Sequence, residues 1–165
     1  MSTGLHAGVE PAAFRSLFRG HPAGVTVVLA DGGNGPAGFT ATSLTSVSID
    51  PPLVSFAIAS GSSAWPAVRE AESLTVNFLS AEQHALATRF ATSGIDRFNG
   101  TAWSRLDTGE PVLADAPAHL RAVVTDRIEA GDHHIVLALV VGAAGGGHEP
   151  LVYHAGGYCA AAPLD

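Results

Sequence analysis

Lysine is absent from this sequence. All eight basic side chains are arginines, set against fifteen Asp and Glu for a formal charge of −7. The summed field repels polyanions, which argues against nucleic acid or an anionic membrane surface as a partner. Any phosphate-bearing ligand has to be held by arginine forks, hydroxyls and backbone N–H groups. Cysteine occurs once, at Cys159, which excludes an internal disulfide, fits a reducing compartment and argues against a cysteine-based zinc site. No apolar run approaches the roughly 18 residues that cross a bilayer, and "MSTGLHAGVEPAAF" lacks a basic-then-apolar export pattern. A soluble, cytoplasmic protein is expected. Internal repeats and charge blocks are missing too, and the short glycine clusters at 32–35 and 145–147 read as turns rather than linkers.

What is present is apolar material. At 47% hydrophobic and 14% charged over 165 residues, the chain is too apolar for disorder and long enough for one domain with a real core. The spacing of Phe14, Leu17 and Phe18 predicts a short leading helix over Ala12–Phe18, docked by that stripe. "GVTVVLA" (24–30) reads as a strand with Val25, Val27 and Leu29 on one face, and "DGGNGP" after it as a hairpin turn. "LVSFAIA" (53–59) reads as a strand covered on both sides. Ser62 or Ser63 can cap a helix running to about Glu72, with Pro66 in its first turn. "SLTVNFL" (73–79) is a further strand. "SAEQHALATRFA" opens with a capping box between Ser80 and Gln83 and puts Leu86 and Phe90 on one buried helix face. From Leu120 onward, "LRAVVTDRIEA" and "HHIVLALVVGAA" flank Gly131–Asp132 as a long antiparallel hairpin. The second run is apolar on both faces, one for the interior and one for a helix or a second subunit. Many strands and few helical crossovers favour a mainly β barrel.

The segment "GFTATSLTSVSIDPPLVSF" (38–56) holds seven hydroxyls: Thr40, Thr42, Ser43, Thr45, Ser46, Ser48 and Ser55. Two readings stand. In one, Ser and Thr alternate on the wet face of an antiparallel strand. In the other, the stretch past Ser43 is an irregular, constrained segment, because it breaks period two and Pro51 biases Asp50 away from helix. Such a segment leaves main-chain N–H and C=O groups without ladder partners. Those groups suit a flat heteroaromatic ligand with donors and acceptors round its edge, and small hydroxyls suit a phosphate tail. A flavin has both features.

Taken with "NFLSAEQHALATRFA", "DRF" (96–98), "GDHHIVLALV" and "PLVYHAGGY", that segment resembles the short-chain flavin reductase family of FMN-binding split barrels, in family order from about residue 12 to residue 158. The resemblance implies a single flavin reductase-like domain over 1–165 with the mainly β, Greek-key split β-barrel fold and a few short helices. It implies an NAD(P)H-dependent reductase, using NADH or NADPH, that passes reduced FMN or FAD to a separate monooxygenase and works as a homodimer with the flavin near the interface. By the same resemblance Thr42, Ser43, Leu44 and Thr45 line the isoalloxazine edge, with Ser48 towards the ribityl or phosphate end. Ser60, Ser62 and Ser63 meet the phosphate at a helix start, one of them serving as the helix cap. Arg97 neutralises that phosphate, with Phe98 either on the flavin or in the core. Gly131, Asp132 and His133 form the pyridine-nucleotide motif. His133 contacts the nicotinamide, and His134 points to the opposite face of the strand. Tyr158 is a wall of the flavin pocket. Near Leu120, where many relatives carry an aromatic and then a cysteine, this chain has His119 and Ala122.

Hydride transfer between two cofactors needs no nucleophile or acid from the protein, so the lack of a catalytic triad or paired carboxylates is expected. A metal hydrolase is disfavoured, since only His133 and His134 are close in sequence and adjacent strand residues face opposite ways. Two alternatives remain open at this point: a split-barrel oxidase that retains its flavin, and a non-catalytic flavin or haem carrier.

Overall fold

The computed structural model describes residues 6–164. Part of the N-terminal stretch read for an export signal lies outside the described residues. In chain order the elements are α1 (Pro11–Arg19), β1 (Ala23–Gly24), β2 (Thr26–Asp31), β3 (Pro36–Ala41), β4 (Thr45–Ile49), β5 (Pro52–Ala59), α2 (Trp65–Glu70) and β6 (Ser73–Phe78). A 3-10 turn (Ala81–Gln83) leads into α3 (His84–Ala91), followed by β7 (Trp103–Arg105), β8 (Pro111–Leu113), β9 (Ala118–Ala130), β10 (His133–Gly145), β11 (Leu151–His154) and β12 (Gly157–Ala160). Seven strands form one antiparallel sheet in the order β3-β2-β6-β9-β10-β5-β4, beside small sheets β1-β11-β12 and β7-β8. The large sheet curls. Phe39 on β3 and Phe56 on β5, far apart in strand order, bring their rings to 5.9 Å across the interior. The barrel is split rather than closed, because β3 and β4 remain its edges. Among the described residues no helix is long and apolar enough to cross a membrane.

Period-two alternation on β2 explains why the core is double. Val28 and Ala30 point into the sheet's concave side with Phe56, Ile58, Leu74 and Val136. Val25, Val27 and Leu29 point the other way, onto Leu79, Ala87, Phe90 and Leu151. Each fully buried large side chain contributes about 1.5–3 kcal/mol of transfer free energy. Buried polar groups are spent on tying the strands together. Asn77 on β6 donates to Val27 O at 3.0 Å and accepts the Leu113 N–H at 3.0 Å, and Thr75 donates to Pro111 O at 2.6 Å. These bonds fasten the β7-β8 excursion to the main sheet.

Several local expectations hold. The β2-β3 turn is built round Asp31, whose Oδ1 accepts the Gly33 N–H at 2.8 Å and the Gly35 N–H at 3.2 Å. The capping box is in place, with the Ser80 N–H donating to Gln83 Oε1 at 2.9 Å. Three expectations change. α1 forms, but Phe14, Leu17 and Phe18 stay 53%, 78% and 57% exposed, because among the described residues no other element covers the stripe. α2 ends at Glu70 rather than about Glu72, and its N-cap residue is Ala64, whose N–H bonds Ser62 Oγ at 3.3 Å. β5 buries only Val54, Phe56 and Ile58, leaving Leu53, Ser55, Ala57 and Ala59 half-buried on the outer face. The hydroxyl segment also resolves differently from its irregular reading. Thr45–Ile49 is a true strand laddered to β5, with a register shift between Ser46 and Ser48, and only Thr42–Leu44 and the Asp50–Pro51 turn depart from regular structure. As an edge strand with mostly exposed side chains, β4 needs no hydrophobic alternation, so none marks it.

Candidate functional site

The first hydroxyls of the segment, Thr40, Thr42 and Ser43, share a cleft with His133 at one mouth of the split barrel. A cleft of about 600 Å³ is bounded by the end of β3 and its following bend (Phe39–Ser43), the outer face of β5 (Ala57, Ala59), the turn at Gly61–Ser63, the loop after α3 (Ser93, Gly94, Arg97) and His133.

The bend at Thr42–Leu44 is held open by one side chain. Ser43 Oγ accepts the Ala57 N–H at 2.8 Å and donates to Ala57 O at 3.2 Å, while β4 first pairs with β5 at Thr45 and Ser55. A hydroxyl thus substitutes for the peptide that would have continued the ladder. The main chain of residues 42–44 is released from pairing beside the cleft. Leu44 packs against the concave core, and Thr45 Oγ1 donates to Ser43 O at 3.4 Å. Thr40 fixes the opposite rim, donating to Ala87 O of α3 at 2.6 Å.

Among the described residues Arg97 is the only arginine that lines this cleft. Its Nη1 donates to Gly38 O at 2.6 Å and its Nε to Thr92 O at 3.0 Å, so β3 and the loop after α3 share one guanidinium. Among the described residues Nη2 takes no protein partner, and burial pulls the guanidinium below its ordinary value. A partly desolvated cation next to Ser62 and Ser63 is suited to an anion, because the surrounding water competes less for it. Ser63 and Arg97 also border an adjoining hollow of about 160 Å³ that includes Asp96 and Phe98.

His133 opens β10 after a two-residue turn in which Gly131 holds φ +66°, a conformation that a side chain would strain. Its ring Nδ1 lies 2.7 Å from Asp132 Oδ1, and this hydrogen bond, reinforced by the imidazole's charge, holds the Asp132 carboxyl below its usual range. His134 faces the other way. Its ring stacks on Trp65 at 3.8 Å with an 18° tilt, and its Nδ1 shares a hydrogen bond of 3.2 Å with Ser60 Oγ.

Of the residues singled out by sequence, Thr42, Ser43, Ser62, Ser63, Arg97 and His133 line the one cleft. Leu44, Thr45, Ser60, Gly131 and Asp132 adjoin these in sequence without lining it. Ser48 pairs with Leu53 near the β4-β5 hairpin tip. Phe98 packs edge-on against Phe90 and Trp103 at 5.4 and 5.3 Å, and Tyr158 packs against Tyr153 at 5.4 Å in the small β11-β12 sheet. Thr40, named only among the hydroxyls of its segment, also lines the cleft, as do Phe39, Ala57, Ala59, Ser93 and Gly94, which were not singled out. Most are small or apolar and carry no chemical signature in sequence.

Residues 18–162 match the family model described as flavin reductase like domain. The chain is 47% identical over 170 residues to an NADH:FMN oxidoreductase of Rhodococcus erythropolis, covering 99% of this chain and 86% of that protein. Among solved structures it is similar to a flavin reductase domain protein from Arthrobacter sp. FB24, with a TM-score of 0.90, 34% identity, and 94% of this chain and 98% of that one covered. It is also similar to a nitrilotriacetate monooxygenase component B homologue from Mycobacterium thermoresistibile, with a TM-score of 0.85, 30% identity, and 92% and 87% covered. A split barrel whose mouth gathers a released main-chain bend, an arginine and a turn histidine, matched along most of its length by one family model and by relatives of that kind, belongs to the flavin reductase like domain family.

Proposed function

We propose that this protein is an NADH-dependent flavin reductase that takes FMN as its flavin and passes it, reduced, to a separate flavin-dependent monooxygenase. The observation that carries the reading is the convergence of the Thr42–Leu44 bend, the Ser62–Ser63 turn, Arg97 and His133 on one cleft. This donor set fits the group. Unpaired main-chain N–H and C=O groups suit the polar rim of an isoalloxazine, and the serines with Arg97 Nη2 suit a terminal phosphate. His133, which lines the same cleft, is the proposed contact for the nicotinamide nucleotide. The hydride chemistry is supplied by the nicotinamide and the flavin themselves. The protein's share is orientation, which contributes about 7 kcal/mol or more in well-aligned cases. The choice of FMN and NADH rests on the Rhodococcus relative, and the oxygenase partner on the nitrilotriacetate monooxygenase component.

The working unit is a homodimer. Ile128 and Ile135, paired across β9 and β10, and Val141 are 48%, 39% and 46% exposed on the outer sheet face. That face runs on through Ala57 and His133 into the cleft, so a second copy laid against it would bury the apolar rows and wall the open side. The lone cysteine supports a cytoplasmic location, and the single-domain reading applies to the whole chain. NADH consumption followed at 340 nm, with and without added FMN, tests the function. Turnover that requires free FMN is expected, and protein that neither binds FMN nor speeds its reduction would refute it.

A further inference from the structure

The two adjacent histidines of β10 divide the work. We propose that His134 is a positioning residue for the nucleotide side of the cleft: with Trp65 and Ser60 it clamps the β9-β10 turn to the body of the fold and so sets where His133 stands. The inference rests on the reading of His133 as a nucleotide contact.

The turn needs such a clamp. Ala130, Gly131, Asp132 and His133 are all exposed, so the tip of the hairpin has no apolar packing of its own to hold it. Opposite it, the Ser60–Ala64 loop is firmly rooted, since Ala64 and Val68 at the start of α2 are fully buried, and Trp65 packs against the concave core. The β5-β10 ladder pairs His133 with Ala59 and His134 with Ile58, and beyond it two further links cross from this fixed body to the hairpin. The Ser60 N–H donates to Asp132 O at 3.0 Å. The His134 ring lies flat on Trp65 at 3.8 Å while its Nδ1 engages Ser60 Oγ at 3.2 Å. The second link is the stronger geometric constraint, because a stacked ring with a hydrogen bond at its edge has both its plane and its rotation determined. His133 and His134 are consecutive on one strand and face opposite sides. A shift of His134 off the indole therefore carries His133 with it. The clamp acts on the hairpin and leaves the Ser62–Ser63 turn, which Ala64 and Trp65 anchor, where it is.

The experiment compares His133→Ala, His134→Ala and His134→Phe by steady-state kinetics with NADH and FMN, alongside thermal unfolding. His134→Ala should raise the KM for NADH by about fivefold, the factor carried by one net hydrogen bond, with the KM for FMN within about twofold of the parent. His134→Phe keeps a ring to stack on Trp65 and should recover part of the loss. If His134→Ala proves too unstable to assay, this phenylalanine variant carries the test, with a smaller rise in the NADH KM expected. A fluorescence measurement adds a signature of the clamp itself. In a Trp103→Phe background Trp65 is the sole tryptophan, and its emission should change when His134 is removed and should not change when His133 is. If His133→Ala raises the NADH KM while folded His134→Ala leaves it unchanged, the clamp is refuted and the His133 reading stands. If neither raises it, the His133 reading itself fails and the clamp with it. A parallel rise in both KM values that tracks a fall in Tm would overturn the proposal by making His134 a general stability residue.

Discussion

Arg97→Gln separates two things that one side chain does. The guanidinium bridges Gly38 O and Thr92 O, and its remaining Nη2 is the proposed phosphate ligand. The substitution therefore disturbs the rim of the cleft and removes the charge at once, and the drop in FMN turnover alone is ambiguous. Riboflavin resolves this, because it presents the same ring without the phosphate. Any distortion of the rim weighs on both flavins and cancels in the ratio of their kcat/KM values, as in a double-mutant cycle. What survives is the arginine–phosphate interaction. A charge-assisted hydrogen bond is worth about 1.5–3 kcal/mol, so the preference for FMN over riboflavin should fall by about 10- to 150-fold in the variant. Partial exposure of the site puts the expected value at the lower end of that range. Arg97→Lys keeps the charge without the planar fork and should give a smaller loss, as a point charge cannot span two carbonyls and a phosphate. Steady-state NADH oxidation with each flavin measures the ratio. A preference unchanged within about twofold in Arg97→Gln would refute the assignment of the phosphate to this side chain.

Ser43→Ala removes both hydrogen bonds to Ala57 and should relax the bend, raising the KM for FMN several-fold while costing about 1 kcal/mol of stability by urea unfolding; an unchanged FMN KM would show that the bend's shape does not depend on the hydroxyl. Gly38→Ala should be costly, because an added Cβ would collide with the Leu29 side chain and stand 2.9 Å from Val28 O and 3.0 Å from the Phe90 ring; overpacking of this kind costs about 1–3 kcal/mol, seen as a lowered Tm. Glu110 governs acid stability: burial opposes its charge, but hydrogen bonds from Ser73, Thr108 and Arg121 prevail and bring its carboxyl from 4.5 down to about 2. The depressed value means that its contribution is complete above pH 4.5 and is lost as the pH falls from 4.5 towards 2, a change of about 3 kcal/mol that Glu110→Gln should abolish in urea titrations across that window.

Much of this architecture is legible in sequence because its signals are local. The Asp31–Pro36 turn, the Ser80 capping box and the β9-β10 hairpin each announce themselves within a few residues, and the opposite facing of His133 and His134 follows from the pleat alone. β4 is less legible because an edge strand owes its existence to the register of β5, and its own side chains are mostly exposed Ser, Thr and Val. α1 shows the opposite case, in which a clear apolar stripe forms with nothing among the described residues to receive it. At the cleft, Arg97 and His133 are visible by their chemistry. Ala57, Ser93 and Gly94 are not, since small residues contribute by leaving room, and only tertiary contact shows where room is needed. Phe98 and Tyr158 lie in segments that resemble the family's, and the structure places them in aromatic packing outside the cleft.

The strand between the two cores carries a consequence for how the molecule breathes. With Val27, Val28 and Leu29 sealed on both sides, no partial opening can wet the middle of β2 without parting one apolar layer from the other. Its amide protons should therefore exchange with deuterium only when the whole domain opens, while those at the rim, around Gly131 at the exposed tip of the β9-β10 hairpin, exchange through small local fluctuations. The molecule thus places its most labile backbone at the mouth where ligands enter and leave, and its least yielding strand directly behind it.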